Sequence, residues 1–290
     1  MIPASRYLFI HDARADSATL RESLIRQWKD IDRGVEYDFY AAGSPEEVLR
    51  HVSLYCDLHP GLDTCFVACG GDALTAGVAS GLMGADEGKT LAVWSPDGSD
   101  SLARYYEGRD FGSVARLLAG DVTAIDMIRI NNAYAVNACT FGLEELAEGK
   151  GLLRSLSAVL RRSFSAVHMT ADGVPLDAGN ILILTLANGR FGSGGLFRAP
   201  QAANDDGKLD LCAVKNMSPT RLMKVLPLLE KGELGDDPAF AADIVLRRAA
   251  ALTIESSKDL NLYADGHPLT GKQFSIRVVP GAVRMVVPAE

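Results

Sequence analysis

Residues 64–83, TCFVACGGDALTAGVASGLM, pass from a continuous apolar run through Gly-Gly-Asp into an alanine-rich stretch. An apolar run without alternation reads as a strand covered on both faces, the mark of a parallel sheet whose strands are joined by helices. The glycines behind it open a tight strand-to-helix turn. The flanking sequence repeats the pattern. RYLFIH reads as a buried strand, and Asp16 is placed to cap a helix carrying Leu20, Leu24 and Trp28 at helical spacing. VEYDFYA is a second strand, and Ser44-Pro45-Glu46-Glu47 then supplies an N-cap, a proline at the first helical position and a capping-box glutamate. KTLAVWS, the loop PDGSDS and a further helix complete a βαβαβαβ order. Right-handed crossovers then dictate a parallel sheet with its ligand site at the C-terminal ends of the strands.

The pattern changes after about residue 120. Paired strands are expected at 122–130 and 132–139, and a long helix over 143–168 with Leu152, Leu156, Val159 and Leu160 on one face. Further strands are expected at 180–188, 208–215, 248–255, 259–264, 272–279 and 282–287, with one helix near 218–231. Short strands punctuated by turn residues predict an antiparallel sandwich. The expected organisation is therefore an α/β N-terminal domain over 1–123 and a β-rich sandwich over 124–290.

Composition narrows the function classes. The net charge of −8 repels phosphate backbones, which argues against nucleic acid as a partner. Five cysteines without a C-x-x-C pair, several in apolar runs, predict reduced core thiols in a cytoplasmic protein. The five histidines show no zinc-ligand spacing. ILILTLA at 181–187 is the longest apolar stretch, far short of the roughly 20 residues that cross a bilayer. The apolar core near the N-terminus is too short for a signal peptide.

Four segments can carry chemistry. Gly70-Gly71-Asp72 lets a backbone approach a ligand and offers helix N–H groups to phosphate oxygens, while its aspartate can equally cap the helix or hold a metal ion. Pro96-Asp97-Gly98-Ser99-Asp100-Ser101 follows the next strand and lies beside it. Asn204-Asp205-Asp206-Gly207-Lys208-Leu209-Asp210 reads as an ordinary turn or as an oxygen-ligand site for a hard cation. Tyr263-Ala264-Asp265-Gly266-His267-Pro268 has the Asp-Gly signal of a tight hairpin.

Taken in order, VACGGDALTAGVASGL, PDGSDSLAR, AIDMIRINNAYAVNACTFG, NGRFGSGG, APQAANDDGKLDLCAV and LYADGHPL resemble the diacylglycerol kinase catalytic-domain family. That family includes bacterial lipid kinases and sphingosine kinases and is distantly similar to NAD kinases. The resemblance implies ATP bound between the α/β and β-rich domains and phosphorylation of a lipid hydroxyl. It places Gly70, Gly71, Asp72, Ala73 and Leu74 with Gly98, Ser99 and Asp100 at the nucleotide, Asp72 lying near the phosphates and magnesium. Asp126 matches an acidic position in an Asp–water–Mg2+ network, and Asp206 a structural Mg2+ ligand completed by carbonyls near Ala203 and Lys208. Asp265 matches the candidate general base, with His267 beside it. A lipid substrate, peripheral membrane contact and a homodimer are further implications.

The chain also departs from the family pattern. GGDGT reads Gly70-Gly71-Asp72-Ala73-Leu74, so alanine replaces a glycine and leucine a threonine whose hydroxyl would reach a phosphate oxygen. If position 73 required φ > 0, alanine would cost about 1–2 kcal/mol. The N-terminal phosphate turn is replaced by His11-Asp12-Ala13-Arg14-Ala15-Asp16, and the second loop is one residue short, so that Asp100 matches either of two family positions. Asp-Gly-Glu reads Asp265-Gly266-His267, exchanging an acid for an imidazole. Two function classes follow: an active lipid kinase with an altered phosphate loop, and a lipid- or nucleotide-binding regulatory protein without turnover. An NAD kinase is a weaker third.

Overall fold

The computed structural model describes residues 4–13, 17–29, 31, 34–142, 167–177, 179–192, 197–235 and 237–290. Two compact units divide them: 1–126 with 281–290, and 127–280. The sequence suggested one changeover at 123/124; the chain changes over at 126/127 and returns to the first unit at 281.

In the first unit, β1 (Arg6–Asp12), α1 (Ser17–Lys29), β2 (Glu36–Ala42), α2 (Pro45–Leu58), β3 (Thr64–Cys69), α3 (Asp72–Gly81) and β4 (Lys89–Val93) alternate as expected. The strands are parallel in the order β4-β3-β1-β2. All six residues of β3 are buried, as its unbroken apolar run requires. On one face Trp28 meets Tyr7 and Phe9 edge-on, with centroids 5.5 and 5.6 Å apart. The small residues of α3 have a packing cause. A Cβ on Gly81 would lie 2.7 Å from the Val52 Cβ, and one on Gly77 2.9 Å from the Pro45 carbonyl oxygen, so only glycine lets α2 come this close. Ser44 caps α2 by accepting from the Glu47 N–H, and Glu47 reaches back to the Gly43 N–H at 2.8 Å rather than to Ser44 itself. Asp16 lies outside the described residues. Short helices α4 (Ser101–Tyr105) and α5 (Val114–Leu118) follow β4.

The second unit is antiparallel. Its strands are the later part of β5 (Asp121–Ile130), β6 (Ala133–Ala135), β7 (Ala138–Phe141), β8 (Val167–Ala171), β9 (Val174–Leu176), β10 (Ile181–Ala187), β11 (Phe191–Gly192), β12 (Phe197–Arg198), β13 (Leu209–Lys215), β14 (Ile244–Ala249), β15 (Ala251–Ala264) and most of β16 (His267–Val287). The main order is β14-β13-β10-β7-β15-β16, with β8 also against β15. Two separate strands expected at 272–279 and 282–287 are one, β16, whose end pairs parallel with β4 through Met285 and Leu91 inside the first unit. Helix α6 (Pro219–Lys231) buries Leu222, Val225 and Leu229 and ends on Gly232 at φ 78°. The helix expected over 143–168 falls on 143–166, outside the described residues, while Val167 and His168 open β8. No helix among the described residues is long and apolar enough to cross a membrane.

Candidate functional site

The two loops singled out in the first unit are joined by carboxylates. Gly71 is the N-cap of α3 and has no side chain to close it; the Leu74 N–H bonds the Gly71 carbonyl at 2.9 Å, which leaves the Asp72 and Ala73 N–H groups without a side-chain cap. A pocket of about 270 Å3 lies there, lined by Asp12, Ser44, Pro45 and Gly70 to Leu74, where the ends of three parallel strands meet the N-termini of two helices. Ala73 sits within α3, and among the described residues the non-glycine residues at positive φ are Asn131, Asp172 and Asp265, so the backbone penalty considered for Ala73 does not arise. Leu74 changes the loop more. Its Cδ2 stands 2.9 Å from where a Gly70 Cβ would be, so it closes over the glycine as a threonine hydroxyl would not.

Asp72 does not cap its own helix. Its two oxygens accept from the Ser101 N–H and the Ser101 hydroxyl, both at 2.7 Å, across to the start of α4. Asp100 is the N-cap of α4 and is fully buried; it accepts from the Leu102 and Ala103 N–H groups at 2.9 and 3.0 Å and from the Thr75 hydroxyl at 2.7 Å. Burial, then the charge of Asp72, pushes the Asp100 carboxyl up to about 6, against the lowering effect of these donors. In the same loop Gly98 takes φ 65°, and Asp97 accepts from the Ser99 N–H and hydroxyl, which holds its carboxyl below the usual range. Asp126, buried at the end of this unit's part of β5, accepts from the Gly281 N–H at 2.8 Å where the chain returns.

In the second unit Asp265 and Gly266, at φ 44° and 85°, form the two-residue hairpin that Asp-Gly signals, with Ala264 opposite His267. The Asp265 carboxylate turns away from solvent and accepts from the main-chain N–H groups of Val136, Asn137 and Ala138 at 2.5–3.2 Å. His267, by contrast, is exposed. The Asn137 carbonyl accepts from the N–H groups of Asn188 and Gly189, and the Asn188 side-chain amide donates to the Val136 carbonyl. The Asn137 side chain is 1% exposed, and both its amide atoms lack hydrogen-bond partners. Sequence reasoning missed Asn137 and Thr75. Thr75 had a signal, since it lies one helical turn after Asp72; Asn137, inside an apolar strand pair, had none.

The expected magnesium ligand has other partners. Asp206 accepts from the Lys208 N–H at 3.0 Å, and its second oxygen is paired with Arg248, whose Nε also lies 3.5 Å from Asp210. Burial raises the Asp210 carboxyl, Arg248 lowers it and Asp206 raises it again. A guanidinium on the carboxylate repels a divalent cation and takes its strongest donor, so these residues do not fit a resident magnesium ion. Among the described residues no three His, Cys, Asp or Glu side chains form a metal-binding group.

Residues 129–287, more than half the chain, match the YegS C-terminal NAD kinase beta sandwich-like domain. A parallel α/β unit joined to such a sandwich defines the class. The chain belongs to the YegS-like lipid kinase family. A protein of Pseudomonas aeruginosa named "Probable lipid kinase YegS-like" is 31% identical over 77% of this chain and 76% of its own length. One of the same name from Alcanivorax borkumensis is 25% identical over 97% and 96%. A crystal structure described as a diacylglycerol kinase from Bacillus anthracis str. Sterne shares the fold, with a TM-score of 0.70 at 17% identity over 98% of this chain and 97% of that one.

Proposed function

We propose that this chain is a lipid kinase that transfers the γ-phosphate of Mg-ATP to a lipid hydroxyl of the diacylglycerol or sphingoid type. The observation that carries the reading is the open first turn of α3 behind Gly70-Gly71, facing a pocket at the ends of three parallel strands. Phosphate oxygens are stabilised there by N–H groups and the positive end of the helix. No basic side chain pairs with Asp72 or Asp100 among the described residues, so these carboxylates would face the magnesium of a bound nucleotide, which would supply the charge neutralisation that phosphoryl transfer needs. Phosphoryl transfer asks chiefly for positioning and charge neutralisation. Asp126 belongs to the same reading as a carboxylate of the magnesium network. Asp265 accepts the hydroxyl proton once one of its main-chain donors yields, with His267 at the same turn. Peripheral contact with a membrane and a homodimer belong to the reading as well.

The test is transfer of labelled γ-phosphate from Mg-ATP to a panel of hydroxylated lipids, with Asp72→Asn as control. Labelled lipid that disappears with the variant supports the reading. One observation favours a second reading, a nucleotide- or lipid-binding protein without turnover: the carboxylates at 72, 100 and 265 are all committed to protein donors. A rise in melting temperature with Mg-ATP but no labelled lipid selects it. Neither a rise nor transfer overturns both.

A further inference from the structure

Buried side-chain amides are almost always hydrogen-bonded, because an unpaired donor or acceptor gives up its water for nothing. Asn137 departs from this. It is 1% exposed, and neither its Nδ2 nor its Oδ1 meets a partner. Its main chain, by contrast, is fully used. The N–H donates to the Asp265 carboxylate at 3.0 and 3.2 Å, and the carbonyl accepts from the Asn188 and Gly189 N–H groups, both at 2.9 Å. These backbone bonds fix residue 137 by themselves, so the amide is not what holds the segment. Room is nevertheless kept for it. A Cβ on Gly189 would stand 3.1 Å from the Asn137 Oδ1, tighter than ordinary contact, and the glycine spares the amide that crowding.

The neighbour of the amide gives it a use. Asp265, which takes the acceptor's proton in the kinase reading, is 9% exposed and accepts from the main chain of residue 137. A lipid hydroxyl reaches that carboxylate only when the segment 136–138 or the hairpin at 265–266 yields, and either movement uncovers Asn137 with it. A side-chain amide offers one donor end and one acceptor end. The hydroxyl under attack sends its proton to Asp265 and can accept from Nδ2, but it has no second proton for Oδ1. Oδ1 is satisfied only if the acceptor carries another donor next to that hydroxyl. A diacylglycerol has none, whereas a 1,2-diol or a 2-amino alcohol does.

We infer that Asn137 is a specificity-determining residue for the acceptor lipid. It recognises a second hydrogen-bond donor, hydroxyl or amine, on the carbon next to the reacting hydroxyl, with Nδ2 on the reacting oxygen and Oδ1 on that donor. The inference rests on the kinase reading, which brings the reacting hydroxyl to Asp265, and it narrows that reading to 1,2-diol and 2-amino alcohol heads.

Calorimetric titration of the full chain without nucleotide tests it with three probes of one chain length: 1-octanol, 1,2-octanediol and 2-amino-1-octanol. The wild type should bind the diol, the amino alcohol or both about tenfold more tightly than the plain alcohol, the weight of one hydrogen bond. N137L replaces the amide by a side chain of the same shape and should bind all three alike. It should melt no lower than the wild type; should it melt early, N137A carries the comparison. In the transfer assay N137L should raise the KM of the preferred acceptor about tenfold and leave that of ATP unchanged, which a merely structural role would not do. A preference that survives loss of the amide, an unchanged acceptor KM, equal binding of the three probes by the wild type, or binding of none overturns the inference. Preference without phosphoryl transfer sinks the kinase reading alone, and transfer without preference sinks this inference alone.

Discussion

Each unit brings two carboxylates close together, and the two pairs are handled in opposite ways. In the first unit Asp72 and Asp100 face the starts of α3 and α4 with, among the described residues, neutral donors only: the Ser101 and Thr75 hydroxyls and main-chain N–H groups. In the second, Asp206 and Asp210 share the Arg248 guanidinium. The first pair keeps uncompensated negative charge beside the pocket at Gly70–Leu74, and one member is pushed towards protonation. The second has its cation built in. A carboxylate pair left without a cation can respond to an arriving one, whereas a pair that already holds a guanidinium serves the fold.

The largest expected effect concerns neither pair but the Asp265 carboxylate. Asp265→Asn turns an amide donor towards the N–H groups of Val136 and Asn137 and should cost about 4 kcal/mol in urea unfolding, since each orphaned buried donor costs about 1–3 kcal/mol. Unchanged stability would show that the loop does not depend on this carboxylate. Any loss of activity in this variant has to be read against its stability.

Asp100 sharpens the contrast between the pairs. Its carboxyl is raised in the folded state, so the folded chain holds a proton that the unfolded chain has released. The stability it contributes is therefore present at low pH and lost as pH rises through about 6. Relative to Asp100→Asn, the wild type should lose about 2–3 kcal/mol across that window. Parallel pH profiles of the two proteins would show that Asp100 titrates normally. Arg248→Gln should break the second pair. It should cost about 1 kcal/mol, the groups being partly exposed, and should make the melting temperature rise with Mg2+ where the wild type does not respond. A wild-type rise without nucleotide that Asp206→Asn abolishes would instead establish a metal at Asp206. The smallest effect is a gain: Asn137→Leu removes a buried amide without partners and should stabilise by up to about 1 kcal/mol in the same unfolding assay.

Several elements were legible without coordinates. The unbroken run at 64–69, the capping box at Ser44–Glu47 and the Asp-Gly hairpin at 265–266 are each specified by neighbours a few residues apart. The candidate site was legible as a set of loops but not as a set of contacts. Asp72 reaches Ser101, Asp265 reaches Val136–Ala138, and Arg248 reaches Asp206, over separations of 29, up to 129 and 42 residues. No local pattern reports which partner a carboxylate will find at that range.

The sequence by itself determined the alternation of β1 to β4 with α1 to α3, that the 64–69 run is buried, and that the parallel half precedes the antiparallel one, because propensity, capping and apolar spacing act within one or two turns of chain. Tertiary structure alone decided that the last ten residues rejoin the first unit, that Leu74 rather than Ala73 reshapes the glycine loop, and that a guanidinium sits where magnesium was expected. Those outcomes depend on which surfaces meet when the sheets form, and a carboxylate takes whatever donor or cation that meeting brings within reach.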